Sequence, residues 1–215
     1  MKPGLIFDLD GTLVDSLKGI ADSLNHAMES AGFPVHLPDR VRNFIGNGAR
    51  VLIKRGVPSG TSKQELATAE LAFKAHYDSH WKTGTEVFHG IPAMLETLQS
   101  RGYPLAVLSN KPHGFTESIV KYLFPKVHFS AVLGQRDGIP HKPDPAGALE
   151  IAKMLGREVA DCALIGDSTV DMETARNAGM RAIAVNWGFH DHERLVEFQP
   201  DAILDDVAGL EAMFC

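Results

Sequence analysis

The chain carries only two cysteines in 215 residues, Cys162 and Cys215. Two cysteines cannot build the disulfide framework that staples small secreted domains. Cys162 lies inside the apolar run Cys162-Ala163-Leu164-Ile165 and reads as a small buried hydrophobe. No apolar run approaches the roughly 18 to 20 residues needed to span a bilayer. Met1-Lys2-Pro3 leads straight into a strand-like segment with no signal-peptide profile. The expectations are a cytoplasmic location and no membrane partner. Basic residues are the minority, 21 Lys and Arg against 27 Asp and Glu for a formal charge of −6, and no basic block could neutralise a run of phosphates. Nucleic acid is therefore not an expected partner. Ten histidines are scattered, none paired with cysteine at zinc-site spacing. Internal repeats and low-complexity segments are also missing. With 44% hydrophobic and 22% charged residues the chain has the composition of an ordinary folded enzyme. Its length allows one core plus a small accessory domain.

Short unalternating apolar runs, expected to be buried strands, span Gly4 to Leu9, Pro104 to Ser109, Ala131 to Leu133, Cys162 to Gly166, Arg181 to Val185 and Ala202 to Leu204. Between most of them lie helical patterns, at Ile91 to Ser100, Gly114 to Leu123, Pro145 to Leu155 and Thr169 to Ala178. Such alternation predicts an α/β core, a doubly wound parallel sheet of Rossmann-like type. From Leu17 to about Thr83 the rhythm breaks, with helical periodicity and no convincing strand. Leu17, Ile20, Ala21, Leu24, Met28 and Ala31 form one apolar stripe, ended by Gly32 and Pro34, and Leu66, Ala69, Phe73 and Tyr77 form another. A crossover between strands usually needs one helix. The expected organisation is a core of residues 1–15 and 84–215 with an inserted helical cap of residues 16–83.

Four polar sets fall at strand ends or just before helices. Asp8-Leu9-Asp10-Gly11-Thr12 ends the first strand, where open α/β sheets place their ligands. Asp8 and Asp10 point to the same side of a strand, so the pair calls for a divalent metal, a raised pKa, or both; an Asp-Gly turn beside a solvated acid is the plain alternative. Gly166-Asp167-Ser168-Thr169-Val170-Asp171 ends another strand and opens a helix. Its two carboxylates, four residues apart, can both face a hard cation, although Asp and Ser also favour first helical turns without any such role. Ser109-Asn110-Lys111 offers a hydroxyl and a following backbone N–H for a phosphoryl oxygen. Lys142-Pro143-Asp144-Pro145 could present Lys142 as a fixed point charge. Each of the last two sets, alone, is common turn chemistry.

In combination and order, Asp-x-Asp-Gly-Thr, Ser-Asn, Lys-Pro and Gly-Asp-x-x-x-Asp resemble the haloacid dehalogenase superfamily of aspartate-nucleophile hydrolases over nearly the whole chain. The resemblance implies that Asp8 is the nucleophile and a metal ligand, and that Asp10 is the general acid/base and a ligand through its backbone carbonyl. It implies further that Ser109, Asn110 and Lys142 bind phosphate, that Asp167 binds Mg2+, and that Asp171 supports the ion directly or through water. A phosphomonoester dianion repels a carboxylate nucleophile, so a cation and Lys142 must first neutralise charge. Asp10 can then protonate the leaving alkoxide, which calls for a raised pKa, and later deprotonate the hydrolytic water. Gly11 and Thr12 shape the loop, by simple turn chemistry or by a direct role, Thr12 being a candidate substrate contact.

Asp10 distinguishes the chain from the namesake dehalogenases, which lack that acid, and points to phosphoryl chemistry. Val41-Arg42-Asn43-Phe44-Ile45-Gly46-Asn47-Gly48 with Arg50, then Gly179-Met180 and Asn186-Trp187-Gly188, are similar to the phosphoglycolate phosphatases. His89-Gly90 departs from that group, which more often has an aromatic residue before the glycine. Arg50 could meet a substrate carboxylate in a bidentate pair, or be a solvated surface arginine. The expected function is Mg2+-dependent hydrolysis of a small phosphorylated metabolite by a monomer or homodimer. A β-phosphoglucomutase-like mutase or a pyrophosphatase would share the core. A phospho-accepting receiver would share clustered Asp and a Lys but is much shorter and lacks an insert, and a relic binding protein would not need every motif residue.

Overall fold

In the computed structural model, which describes residues 1–214, the chain divides into two compact units. One comprises Met1–Val14 and the chain from Val87; the other is Asp15–Glu86. Cys215 lies outside the described residues. After β1 (Gly4–Phe7) the chain enters the second unit at β2 (Val14–Asp15). There it forms α1 (Leu17–Ser30), α2 (Pro38–Arg42), α3 (Ala49–Gly56) and α4 (Lys63–His80), and it leaves at β3 (Glu86–Val87). β2 and β3 pair as a small two-stranded sheet that the apolar pattern does not announce, because each strand is only two residues long.

The helical unit closes on side chains at helical spacing. Ile20, Ala21, Leu24, Ala27 and Met28 are the buried face of α1, and Ala69, Phe73 and Tyr77 that of α4, against which α1 packs. Val41 of α2 and Leu52 and Ile53 of α3 complete this core. α4 begins with a capping box: Ser62 Oγ accepts from Glu65 N at 3.2 Å and Glu65 Oε2 accepts from Ser62 N at 2.8 Å. Among the described residues no helix is long and apolar enough to cross a membrane.

The other unit continues as α5 (Ile91–Ser100), β4 (Leu105–Pro112), α6 (His113–Leu123), β5 (Ala131–Gln135), α7 (Ala146–Met154), β6 (Cys162–Gly166), α8 (Thr169–Ala178), β7 (Arg181–Val185), α9 (His192–Glu197), β8 (Ala202–Leu204) and α10 (Val207–Phe214). Its sheet is parallel throughout, in the order β5-β4-β1-β6-β7-β8. β1 and β6 are buried along their whole lengths, as strands covered on both faces must be. One face packs Ile6, Leu108, Leu133 and Leu164 against Ile151 of α7 and Met172 and Ala175 of α8. From β1 the chain goes first to β4 and β5 on one side and then to β6, β7 and β8 on the other. The carboxyl end of β1 is thus the topological switch point of the sheet, the crevice where open α/β folds bind ligands.

Candidate active site

Three neighbouring strand ends converge there. Asp8 follows β1 and Asp167 follows β6. Ser109, Asn110 and Lys111 lie where β4 loses register with β5, between Leu108 and Pro112, which frees them from the regular ladder. Asp8, Ser109, Asn110, Lys111, Lys142, Asp167 and Asp171 are all buried.

Asp8 Oδ1 takes both the Leu9 N–H, at 2.7 Å, and the Lys142 ammonium, at 3.0 Å, so its two oxygens are inequivalent. The same ammonium donates to Asp171 Oδ1 at 2.6 Å and to the Leu108 carbonyl at 3.1 Å. Burial, and then the neighbouring Asp171, push Asp8 well above the usual carboxylate range; Lys142 opposes them and Asp167 adds to them. Burial alone would lower Lys142, but Asp171 and Asp8 outweigh it and hold the ammonium firmly protonated. Asp167 is raised from 3.8 to about 7 by burial first and Asp171 second, against the Phe189 N–H and the Thr12 hydroxyl.

Asp8, Asp167 and Asp171 can each offer a carboxylate oxygen within 4.8 Å of the others. With all three carboxylates ionised, the one ammonium that bridges two of them would leave two negative charges without compensation, which, with burial, is why Asp8 and Asp167 hold their protons in the protein alone. Their donors are all hard oxygens, so a hard divalent cation fits both the charge and the ligand type. Asp171 also carries the local role that its position suggests. Ser168 and Asp171 form the capping box of α8, with Asp171 Oδ2 accepting from Ser168 Oγ at 2.6 Å and Ser168 N at 3.1 Å. Helix capping and charge pairing therefore coexist in one residue.

Two glycines make room for Asp167. Gly11, at φ +88°, would place a Cβ 2.2 Å from Asp167 Oδ2, and one on Gly188 would lie 2.1 Å from Asp167 Cβ. No side chain fits at either position without displacing the carboxylate. Thr12 Oγ1 donates to Asp167 Oδ1 at 2.9 Å and the Phe189 N–H to Oδ2 at 2.7 Å. The Trp187 indole N–H donates to the Thr12 carbonyl at 3.0 Å, tying the loop after β7 to the loop after β1.

Asn110 spends both ends of its side-chain amide on the backbone of Lys142, accepting from its N–H at 2.8 Å and donating to its carbonyl at 3.0 Å. Ser109 Oγ accepts from the Lys111 N–H at 3.2 Å. Lys111, not singled out from sequence, donates to both Asp10 oxygens, at 2.9 and 2.8 Å. The donor role of Phe189 N–H was equally absent from the sequence reading, since any residue can supply a backbone amide. Arg50 belongs to the helical unit, on α3, with its side chain 83% exposed and its Nε 3.3 Å from Glu70 Oε1.

Comparison with known proteins places the chain in a family. A family model described as haloacid dehalogenase-like hydrolase matches residues 5–185. Phosphoglycolate phosphatase 1 of Pseudomonas aeruginosa is 34% identical over 96% of this chain and 77% of its own length. Phosphoglycolate phosphatase of Psychrobacter arcticus is 33% identical over 97% and 94%. The crystal structure of a candidate phosphoglycolate phosphatase from Lactobacillus delbrueckii superposes with a TM-score of 0.93 at 32% identity, over 100% of this chain and 99% of that one. By family match, by similarity over nearly its full length and by fold, the chain belongs to the haloacid dehalogenase-like hydrolases.

Proposed function

We propose that the protein is a Mg2+-dependent phosphatase that hydrolyses a small phosphorylated metabolite, phosphoglycolate being the first choice, through an aspartyl-phosphate at Asp8. The observation that carries the reading is the environment of Asp8: a buried carboxylate at the switch point of the sheet, with one oxygen fixed by Leu9 and Lys142 and two further carboxylates close by. The relatives named above as phosphoglycolate phosphatases support the substrate.

In this reading Asp8 attacks phosphorus and the ester P–O bond breaks. Asp10 gives its proton to the leaving alkoxide, then takes one from the water that attacks the acyl phosphate, which frees phosphate and regenerates Asp8. Lys142 and the Ser109 hydroxyl hold phosphoryl oxygens, and Asn110 fixes the loop that presents Lys142. Asp8 and Asp167 would hold Mg2+, with the Asp10 carbonyl and Asp171 in support, and the ion supplies the charge compensation that this cluster lacks. Thr12 orients Asp167. The helical unit acts as a cap that excludes water and carries substrate selectivity, with Arg50 as its carboxylate reader.

Asp8→Asn tests the assignment. It should abolish phosphate release while leaving the circular dichroism spectrum unchanged, and borohydride quenching of the wild type during turnover should label Asp8. Substantial residual turnover in Asp8→Asn would overturn the reading.

A further inference from the structure

Lys111 and Asp10 are 101 residues apart in sequence, yet the Lys111 ammonium reaches both oxygens of the Asp10 carboxylate, at 2.8 and 2.9 Å. The lysine side chain is 6% exposed and the aspartate side chain 12%, so neither swings freely in water. The lysine backbone is also anchored, its N–H on Ser109 Oγ and its carbonyl accepting from Thr116 Oγ1 at 3.2 Å. A two-point contact from an anchored cation specifies direction as well as charge. Asp10 follows two residues after Asp8, which is itself one of three clustered carboxylates. Repulsion from that cluster would turn a fourth carboxylate outward, away from any bound ester.

We infer that Lys111 is a positioning residue for the proton-transferring carboxylate, holding Asp10 in the orientation from which it reaches the leaving oxygen and the hydrolytic water. The end of β4 then works as a jig for two separate groups, with Asn110 locating Lys142 and Lys111 locating Asp10. The inference rests on the phosphatase reading above and extends it to a residue of the Ser109-Asn110-Lys111 set whose side chain had no role there.

A group that acts only through Asp10 must lose its influence when Asp10 is no longer an acid or base. Steady-state kinetics on phosphoglycolate at saturating Mg2+ would compare wild type, Lys111→Met, Lys111→Arg, Asp10→Asn and the double variant Lys111→Met/Asp10→Asn. Well-placed proton transfer is worth about 10²- to 10⁴-fold, so misdirecting Asp10 should lower kcat on the order of tenfold to a hundredfold in Lys111→Met, with KM little changed. Lys111→Arg, whose guanidinium can also pair with both oxygens, should recover most of kcat. It also answers the question of folding should the methionine variant be unstable. The double variant should be no slower than Asp10→Asn alone. A raised KM, or full additivity of the two substitutions, would overturn the inference, because both would mean that Lys111 meets the substrate itself. Turnover surviving in Asp8→Asn would instead strike at the phosphatase reading, and that control keeps the two failures distinct.

Discussion

The two compact units bury different things. The sheet unit takes five charged side chains out of water, Asp8, Lys111, Lys142, Asp167 and Asp171, whereas the helical unit buries Ser16, Ser23 and Thr85 and no charged residue among those described. Burying charge is costly, and a fold keeps it only where pairing or chemistry compensates. In the sheet unit the compensation is incomplete, because three clustered carboxylates share one ammonium. The helical unit has the economy of an ordinary amphipathic bundle, apolar inside and ionic only at its surface. Substitutions in the two units should therefore fail in different ways.

The sharpest break in that comparison is Asp167→Asn. It removes one of the hard oxygen charges, and Mg2+-dependent turnover should fall about a thousandfold or more, since charge compensation by the ion is worth several kcal/mol. The metal-free protein should become more stable, because the raised Asp167 pKa shows that its buried charge opposes folding. Phosphate release and urea melts measure the two halves, and a variant both active and destabilised would contradict the account.

In the helical unit the corresponding weak point is packing. Phe73 is buried and stacks on Tyr77, ring centroids 5.7 Å apart. Phe73→Ala should cost about 3 kcal/mol of stability through lost burial and the cavity left behind. Calorimetric titration at low temperature should show Mg2+ affinity unchanged, since none of the candidate ligands lies in this unit. A loss of metal affinity would mean that the two units do not divide the labour in this way.

Much of the parallel sheet was legible in the sequence, for a definite reason. Strands such as Cys162–Gly166 and Arg181–Val185 are short apolar runs bounded by turn residues, and their carboxyl ends carry the Asp, Ser and Gly that mark the site. A linear pattern does not reveal which side chains meet across strands. Lys111 finds Asp10 at a separation of 101 residues and Thr12 finds Asp167 at 155, and neither pairing leaves a periodic trace. Asn110 carries a pairing of the same kind, its side-chain amide holding the backbone of Lys142, 32 residues away. Asp171 has the helix-capping role that its position suggests, and its second oxygen takes the Lys142 ammonium, a pairing across 29 residues that no local pattern announces. α2 and α9, at five and six residues, are too short for helical periodicity to register.

A smaller effect sharpens the electrostatic side. With a folded-state value near 7 against the ordinary 3.8, Asp167 binds more proton in the folded than in the unfolded chain across that window, so its contribution to stability worsens as pH rises. The stability advantage of metal-free Asp167→Asn over wild type should then be at least about 1 kcal/mol at pH 8 and shrink towards pH 5. Taking the difference between two proteins cancels His76 and His141, whose lowered values destabilise the folded state in the opposite direction, below about 6.5. An advantage independent of pH would show that Asp167 is charged at pH 5 as well. If Mg2+ binds the cluster as proposed, saturating Mg2+ should reverse the ranking, because an ion that binds only the intact site stabilises only the wild type.

The smallest expected effect is the most selective. The Arg50 side chain is 83% exposed, and its contact with Glu70 is an ion pair without hydrogen-bond geometry, Glu70 Oε1 having no hydrogen-bond partner. Exposed pairs of this kind are worth about 0 to 1 kcal/mol, so Arg50→Ala should leave thermal stability almost unchanged. A guanidinium so loosely held has little to give up on turning to a substrate carboxylate. If the helical unit reads that group, Arg50→Ala should lower kcat/KM for phosphoglycolate on the order of tenfold, the worth of one modest charge-assisted contact, and leave p-nitrophenyl phosphate unaffected. The residues proposed to carry the chemistry, Asp8, Asp10, Lys142 and Asp167, belong to the other unit and are untouched in either case. An equal fall for both substrates would locate the damage in exclusion of water from the intermediate, a step common to every leaving group. Unchanged kinetics on both would leave Arg50 as a surface residue, and selectivity for a carboxylate would then have to be sought in the cationic groups of the sheet unit.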